Sequence, residues 1–241
     1  MLPFIFLLFI GWNNTSWDNG QERTLDFGQR DPFDERVELT GIGEAEITGD
    51  GLLILRGDAP RFRIVDQDFE NVNVTFSAKR IDEDRELSYQ GFVVGARSKH
   101  YTNDLCYANT YYARLTYDGR ISFEKELFHG HGSVAQYPPF DEPLFLYEDG
   151  VPEDEWIKMS FIITTVDSGS SVLLQLYVDD EQVLEYKDTG QWSVEADDGI
   201  CNDYPHNKIL FSPGFVFLRN DGLGEAQYRD LTITEEEEEI N

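Results

Sequence analysis

The side chains best suited to chemistry are concentrated between residues 89 and 131 of this 241-residue chain. Residues 91–131 carry five Lys or Arg and four Asp or Glu, whereas the rest of the chain carries 14 basic and 43 acidic residues, since the totals are 19 and 47. Three of the four histidines also lie in this segment. The sequence therefore places a locally basic patch, rich in His and Tyr, in a strongly acidic protein.

This patch contains every residue type that β-elimination of an acidic polysaccharide needs. The reaction requires a cation for the uronate carboxylate, a base for the C5 proton and an acid for the leaving oxygen. Arginine binds a carboxylate through two parallel hydrogen bonds, and aromatic rings pack on the apolar face of a sugar. The candidate catalytic residues are Arg97, His100, Tyr112, Arg114, Lys125 and His129. The candidate substrate-binding residues are Tyr101, Tyr107, Tyr137, Trp192 and Tyr204.

Alternation along two predicted strands brings several of these side chains to one face. Successive side chains of a strand point to opposite faces, and the Asp118-Gly119 turn predicts that the strands on either side of it form a hairpin. With a two-residue turn Tyr112 lies opposite Lys125, so we expect Tyr112, Arg114, Lys125 and His129 to share a face. The alternative is that Arg114 and Lys125 only form cross-strand ion pairs with Glu124 or Glu126.

The elements that position these residues are predicted to be strands, because the apolar period is two almost everywhere. No stretch shows a helical repeat, and turn signals separate the short apolar runs. The predicted strands are 37–39, 45–48, 52–56, 61–65, 72–80, 91–97, 110–117, 121–127, 157–166, 172–178, 182–186, 214–219 and 228–234. This pattern predicts an all-β fold, a two-sheet antiparallel jelly-roll sandwich that forms one domain over residues 37–234.

The two ends of the chain fall outside this predicted sandwich. Leu2–Ile10 is apolar, and it is far shorter than the roughly 20 residues of a membrane span. Residues 1–11 fit a secretory signal, although no Lys or Arg precedes the apolar run; the alternative is an N-terminal apolar strand. Residues 12–36 are predicted to be an irregular arm, and residues 235–241 an acidic tail.

Composition limits the class of partner. The chain is 40% apolar and 14% aromatic, which is enough for a packed core. Its formal net charge of −28 repels phosphate groups, so nucleic acid and anionic membranes are poor partners. Cys106 and Cys201 are the two cysteines of the chain. In an exported protein they predict one disulfide, and the alternative is two free thiols.

Two stretches carry a family resemblance. One is the pair WIKMSFIITTVDSG and SVLLQLYVDDEQVLEYKD, and the other is the closing stretch GFVFLRNDGLGEAQYRDLTI. Together they resemble the concanavalin A-like lectin/glucanase superfamily, which includes laminin-G-like domains and jelly-roll polysaccharide lyases. The resemblance covers residues 37–234. It implies a concanavalin A-like sandwich, a concave sheet that is used for glycans and, often, a structural calcium on the convex side.

The resemblance also guides the expectations for catalysis and metal. The glucanases of this superfamily carry three acids on one strand, roughly E-x-D-x-x-E, but here Glu124 and Glu126 are followed by His129 at the third position. Retaining glycoside hydrolysis is therefore not expected, because the acid/base partner is missing. The resemblance implies that Asp230 and an N-terminal acid such as Asp26 bind Ca²⁺. The sequence offers a second set of calcium candidates in its acidic loop, namely Asp197, Asp198, Asn202 and Asp203.

The sequence thus predicts a secreted or cell-surface protein that binds or cleaves a polysaccharide. If the basic patch is the site, we expect the polysaccharide to be acidic. A lyase-like enzyme and a non-catalytic carbohydrate-binding module are both compatible with these residues. A third hypothesis is a self-assembling cell-surface or fibre subunit, in which Leu2–Ile10 adds as a strand to a neighbouring copy.

Overall fold

The computed structural model describes residues 22–25, 37–40, 43–57, 59–81, 90–99, 109–127, 134–194, 205–222 and 224–235. These residues form sixteen β-strands. In chain order the strands are β1 Glu22–Leu25, β2 Val37–Thr40, β3 Glu44–Ile47, β4 Leu53–Arg56, β5 Arg61–Phe69, β6 Val72–Arg80, β7 Gly91–Lys99, β8 Asn109–Thr116, β9 Arg120–Glu126, β10 Ala135–Tyr137, β11 Leu144–Phe145, β12 Ile157–Val166, β13 Ser171–Val178, β14 Glu181–Asp188, β15 Gly214–Asp221 and β16 Glu225–Glu235.

The strands form two antiparallel sheets that pack face to face. Sheet 1 has the order β14-β13-β12-β6-β16-β4-β3, and β1 also pairs with β16. Sheet 2 has the order β10-β9-β8-β7-β15-β5-β2, and β11 also pairs with β9. The predicted all-β fold, a two-sheet antiparallel jelly-roll sandwich, is confirmed.

Hairpin turns are positioned where the sequence supplies residues that tolerate positive φ. Asp179 and Asp180 join β13 to β14 with φ of 50° and 68°. A two-residue turn with both φ values positive matches the right-handed twist of antiparallel strands, and Asp is among the residues that adopt it. All thirteen predicted strands have counterparts among the observed ones, and β1, β10 and β11 are additional.

The two sheets differ in how much of their outer faces is covered. On sheet 1, β6 alternates strictly between buried and half-buried residues. On sheet 2, β7 is buried at every position except its last, and β9 at every position except its first. The strands β7 and β9 are therefore buried on both faces, whereas β10 is half-buried and β11 is exposed. A small apolar cluster of Val93, Tyr112 and Phe217 lies on the outer face of sheet 2, separate from the main core between the sheets.

Several predictions fall on residues outside the described ranges. These are Leu2–Ile10, residues 236–241 of the predicted acidic tail, and both cysteines, Cys106 and Cys201. The first residue of that predicted tail, Glu235, is the last residue of β16. The segment 12–36, predicted to be irregular, contributes β1 at Glu22–Leu25. Within the described ranges, no helix has the length and apolar character needed to cross a membrane.

Candidate functional site: the outer face of sheet 2

The β8–β9 hairpin has a different register from the predicted one. Tyr111, rather than Tyr112, lies opposite Lys125, and Arg114 lies opposite Ser122. A shift of one residue moves the pairing partners to opposite faces. The prediction that Tyr112, Arg114 and Lys125 share a face is therefore wrong, because Tyr112 and Arg114 point outward and Lys125 points into the sandwich.

The cause of the shift is the length of the turn. β8 ends at Thr116 and β9 begins at Arg120, so three residues, 117–119, connect the strands. The backbone N of Arg120 also donates to Thr116 Oγ1 at 3.1 Å. The last residue of the turn, Gly119, has a φ of +92°. Hairpins with three-residue loops commonly place Gly in a left-handed conformation at this position. The Asp118-Gly119 pair therefore marks the turn correctly but does not determine its length.

Lys125 forms a buried ion pair between the two sheets. Its Nζ donates to Asp188 Oδ2 at 2.8 Å and to the carbonyl of Trp192 at 3.0 Å, and neither charged side chain is exposed. The hydroxyl of Tyr111 donates to the same carboxylate oxygen at 2.7 Å. Burial lowers the pKa of Lys125, and Asp188 opposes this shift. Lys125, a predicted catalytic residue, therefore joins β9 to the end of β14 and does not face a groove.

Two predicted sugar-binding aromatics also face the interior. Trp192 is 7% exposed, and its ring lies 6.2 Å from Tyr111 and 4.7 Å from Tyr186. The ring of Tyr137 lies 4.4 Å from Tyr186 and packs against the main core. Both rings therefore contribute to the core, and the prediction that they form a sugar-binding surface is not supported by their positions.

Arg97 is directed inward by an irregularity in β7. The β7–β8 register shifts between Ala96 and Lys99, and Arg97 itself has a φ of 51°. Its guanidinium donates to two carbonyls and two side chains, namely Glu70 O at 2.6 Å, Leu210 O at 2.8 Å, Thr165 Oγ1 at 2.9 Å and Asn71 Oδ1 at 3.1 Å. Burial lowers the pKa of Arg97 to about 10. This predicted catalytic residue instead connects both sheets.

The outer face of sheet 2 is organised around small residues on β7. Tyr112 on β8 and Phe217 on β15 both pair with Gly95, one from each side. Their rings meet edge to face at 5.7 Å and 74°. A Cβ on Gly95 would lie 2.1 Å from the Phe217 ring, so the ring packs directly on the glycine backbone. The absence of a side chain at Gly95 thus allows residues of β8 and β15 to touch across β7.

A chain of ion pairs on this face connects side chains of β8, β9 and β15. Arg114 contacts Glu124 at 2.8 Å and Asp221 at 2.9 Å. Asp221 in turn contacts Arg219 at 2.5 Å. The Arg219 guanidinium also lies 5.1 Å from the centre of the Tyr112 ring. The alternative that Arg114 forms a cross-strand ion pair with Glu124 is therefore the one observed.

Two further charged groups, Glu126 and Arg61, contact the aromatic centre of this face. The Tyr112 hydroxyl hydrogen-bonds to Glu126. The Arg61 guanidinium lies 5.5 Å from the centre of the Phe217 ring. Burial, together with the nearby cation Arg219, lowers the pKa of Arg61 to about 10, while Glu126 and Asp221 oppose this shift. The outer face therefore combines guanidinium groups and carboxylates with an aromatic centre.

A small pocket opens beside this charged chain, between β9 and residues 140–143. Its volume is about 120 Å³. The residues that matter for recognition are Arg114, Arg120, Ser122, Glu124, Gln136 and Phe140. Phe140 is 71% exposed, and the Arg120 guanidinium lies 5.7 Å from its ring centre. The pocket therefore combines hydrogen-bonding side chains with an exposed aromatic ring.

A larger pocket of about 590 Å³ lies elsewhere, against residues 148–153. Arg80 lines it and contacts Glu153 at 3.4 Å, and three further carboxylates, Asp118, Glu148 and Asp149, surround it. Among the residues the structure describes, no group of three or more His, Cys, Asp or Glu side chains is arranged to hold a metal. The aromatic residue that lines the larger pocket, Tyr117, is buried, whereas Phe140 of the smaller pocket is exposed. An exposed ring is available to a ligand, so the smaller pocket is the better candidate for ligand binding.

The calcium candidate Asp230 does not form a metal site with its described neighbours. Asp230 is exposed, has a φ of 55°, contacts Arg229 at 3.2 Å and accepts a hydrogen bond from Ser77 at 3.4 Å. A calcium ion requires six to eight oxygen ligands. Asp26 and the acidic-loop residues Asp197, Asp198, Asn202 and Asp203 lie outside the described ranges.

The remaining predicted site residues also lie outside the described ranges. They are His100, Tyr101, Tyr107, His129 and Tyr204. Sequence reasoning missed Phe140, Gln136, Arg61, Arg219 and Asp221 as members of the site. The signal that was available is the Gly91-x-Val93-x-Gly95 spacing, which leaves one face of a central strand nearly without side chains.

Comparisons with solved structures place this architecture in a known fold. A β-glucanase from Bacillus licheniformis superposes with a TM-score of 0.52 at 9% identity, over 91% of this chain and 100% of that one. A protein of Parabacteroides distasonis, provisionally assigned as a glycosyl hydrolase, gives 0.53 at 13% identity, over 90% and 100%. The metal-free carbohydrate recognition domain of Emp46p gives 0.52 at 11% identity, over 91% and 98%.

These similarities show that the fold is a concanavalin A-like jelly-roll sandwich, which is the fold that the sequence resemblance implied. Sequence comparison adds nothing further, because no family model matches the chain and no curated protein matches it. At these identities the likeness establishes architecture alone. The function must therefore be argued from the outer face of sheet 2 itself.

Proposed function

We propose that this protein binds a carbohydrate at the pocket between β9 and residues 140–143. The observation that carries the proposal is the exposed ring of Phe140 at the rim of a pocket lined by Arg114, Glu124 and Gln136. Protein sites for sugars need a flat apolar surface for the C–H face of the ring and directional polar groups for its hydroxyls. The pocket offers both within one small volume.

The geometry of the polar groups also supports this proposal. Gln136 pairs with Glu124 across β10 and β9, so the two side chains lie side by side. An amide both donates and accepts hydrogen bonds, and a carboxylate accepts them, so the pair can bind neighbouring sugar hydroxyls. Both residues are on strands, and sites on strands are held more precisely than sites on loops. The pocket is therefore largely preformed.

The fold lends further support. The structures that superpose on this chain with TM-scores above 0.5 include a β-glucanase and a carbohydrate recognition domain. Fold similarity at about 10% identity is an analogy and not a demonstration of function. This analogy favours a carbohydrate over the other small polar ligands that the same pocket would accept.

Cleavage by β-elimination is the narrower proposal, and the observed contacts support it less well. Of the predicted catalytic residues in the described ranges, only Tyr112 and Arg114 lie on the outer face. The Tyr112 hydroxyl is engaged by Glu126, and Arg114 contacts two carboxylates. The base would have to be His100 or His129, both outside the described ranges. We therefore favour binding without cleavage.

The test is a binding screen with a parallel assay for cleavage. Soluble polysaccharides, namely a β-glucan, a xylan, a galactomannan and a polygalacturonate, are titrated into the protein by calorimetry. The same mixtures are then assayed for new reducing ends and for the ultraviolet absorbance of unsaturated uronates. Binding without products supports the proposal, products of either kind make the protein an enzyme, and an absence of binding to all four contradicts it.

Secretion or display at the cell surface belongs to the same proposal, because extended polysaccharides are encountered there. Self-assembly through Leu2–Ile10 is a separate proposal. N-terminal sequencing of the mature protein tests both, since loss of this segment supports export with cleavage and removes the strand that assembly would need. A structural calcium would require Asp26 or the loop acids beside Asp230, and thermal unfolding with and without EDTA tests for it.

A further inference from the structure

The charges beside the pocket on the outer face of sheet 2 are paired with one another. Arg114 contacts Glu124 and Asp221, Arg219 contacts Asp221, and Arg120 contacts Asp118. In the described part of the segment that is basic in the sequence, Arg114 and Arg120 are therefore each in contact with a carboxylate, and the pocket that they line is not surrounded by unopposed positive charge.

Two guanidinium groups line the pocket, those of Arg114 and Arg120, and Arg120 contacts Asp118 at 2.9 Å. Arg114 is the more enclosed of the two, because two carboxylates contact it. Glu124 contacts it from β9 and Asp221 from β15, at 2.8 and 2.9 Å. All three side chains are at most 13% exposed, so water screens these contacts weakly. A ligand carboxylate would have to compete with Glu124 and Asp221 for Arg114, or with Asp118 for Arg120.

We propose that the site selects uncharged glycans and that Glu124 and Asp221 determine this specificity by neutralising Arg114. This inference rests on the proposed carbohydrate-binding function. An uncharged sugar leaves the ion pairs intact and uses Phe140, Gln136 and the remaining lone pairs of the Glu124 carboxylate, both of whose oxygens also contact Arg114. A polyuronate meets a site with no net positive charge, on a protein whose net charge of −28 also repels it at long range.

The test is to change the specificity rather than to abolish binding. The double substitution Glu124→Gln and Asp221→Asn keeps the shapes of both side chains and removes both carboxylates from Arg114. We expect this variant to bind polygalacturonate at least tenfold more tightly than the wild type does, with a gain that weakens as salt is added.

A matched control exists on the other sheet. Arg56 on β4 contacts Glu46 at 2.9 Å and Glu225 at 2.7 Å, so it too is held between two carboxylates. The double substitution Glu46→Gln and Glu225→Gln changes the net charge by the same two units. Both residues are on strands of sheet 1, whereas the pocket is on sheet 2. We expect it to change polygalacturonate binding by less than twofold.

The possible results separate the inference from the function on which it rests. Wild-type binding of a neutral β-glucan, xylan or galactomannan, with at least tenfold weaker binding of polygalacturonate, supports both. Equal binding of neutral and acidic polysaccharides, or a folded Glu124/Asp221 variant with no gain, overturns the inference alone. Failure to bind any polysaccharide overturns the proposed function. If the double variant does not fold, the single substitution Glu124→Gln is measured in the same way.

Discussion

Arg114 and Asp221 form an ion pair at 2.9 Å across a strand that lies between them. Arg114 is on β8 and Asp221 on β15, and β7 separates the two strands. Strands two places apart in a sheet are about 9.5 Å apart, so such a contact needs a long side chain and a low surface between the partners. Gly91, which pairs with Asp221, and Val93, which pairs with Arg114, provide that surface.

The first prediction concerns Gly95, on which the Phe217 ring packs. A Cβ at this position would lie 2.1 Å from the ring, so Gly95→Ala must displace Phe217 and its contact with Tyr112. Overpacking of this kind costs about 1–3 kcal/mol. We expect the free energy of unfolding in urea to fall by that amount and the affinity for the bound glycan to fall with it.

The control for this prediction is Gly49→Ala. No heavy atom lies within 4 Å of a Cβ built at Gly49, and its φ is not in the left-handed region. We expect a change of less than about 0.5 kcal/mol, as for a typical surface substitution. Equal effects at Gly95 and Gly49 would contradict the packing described for the outer face.

The second prediction concerns the buried pair of Lys125 and Asp188. Lys125→Met leaves the Asp188 carboxylate in the interior without its cation, and breaking a buried pair in this way costs about 3–5 kcal/mol. Replacing both residues, as Lys125→Met with Asp188→Leu, removes the uncompensated charge as well. We expect the double variant to be more stable than the Lys125→Met variant when both are unfolded in urea.

A double-mutant cycle makes this comparison quantitative. Substitutions at independent sites have effects that add to within about 0.5 kcal/mol. We expect the coupling energy between Lys125 and Asp188 to be well above that value. A pair that behaves additively would show that Lys125 does not depend on Asp188, and the assignment of Lys125 to the interior would then fail.

The third prediction concerns alkaline pH. Burial raises the pKa of Tyr228 well above its ordinary value, and its hydroxyl donates to the carbonyl of Arg219 at 3.0 Å. In the unfolded chain a tyrosine loses its proton near pH 10, at about the model-peptide value. The folded state then binds more protons than the unfolded state, so the contribution of Tyr228 to stability is complete below about pH 10 and is lost as the pH rises further.

The variant Tyr228→Phe isolates this contribution. Each pH unit above 10 should reduce the stability difference between the wild type and the variant by about 1.4 kcal/mol. The measurement is urea unfolding of both proteins between pH 8 and pH 11. A stability difference that stays constant across this range would mean that Tyr228 ionises equally in both states.

The fold was predictable because strand patterns depend on local alternation. Along β6, every second residue is buried, and its bounds Val72–Arg80 follow directly from that period. The additional strands β10 and β11 have three and two residues, which is too short for a period to be visible. Their pairing with β9 comes from tertiary contact and not from local propensity.

The site was harder to predict because it depends on pairing between strands. Alternation correctly groups Lys125 with Phe123 on one face of β9, and both are buried. The error lay in the pairing of β9 with β8. One additional turn residue shifts that register by one position, so Tyr112 and Lys125 lie on opposite faces. The bend that turns Arg97 inward likewise has no signature in the sequence, because its positive φ is imposed by the packing around it.

The most direct test of a glycan site at this pocket compares two exposed phenylalanines by calorimetric titration with the tightest-binding neutral polysaccharide. Phe140 is 71% exposed and lines the pocket, whereas Phe145 is 47% exposed and does not line it. Phe140→Ala should weaken binding at least tenfold, which corresponds to about 1.4 kcal/mol, and Phe145→Ala should change it less than twofold. Unchanged binding in the Phe140→Ala variant, or equal losses in both, would contradict a glycan site at this pocket.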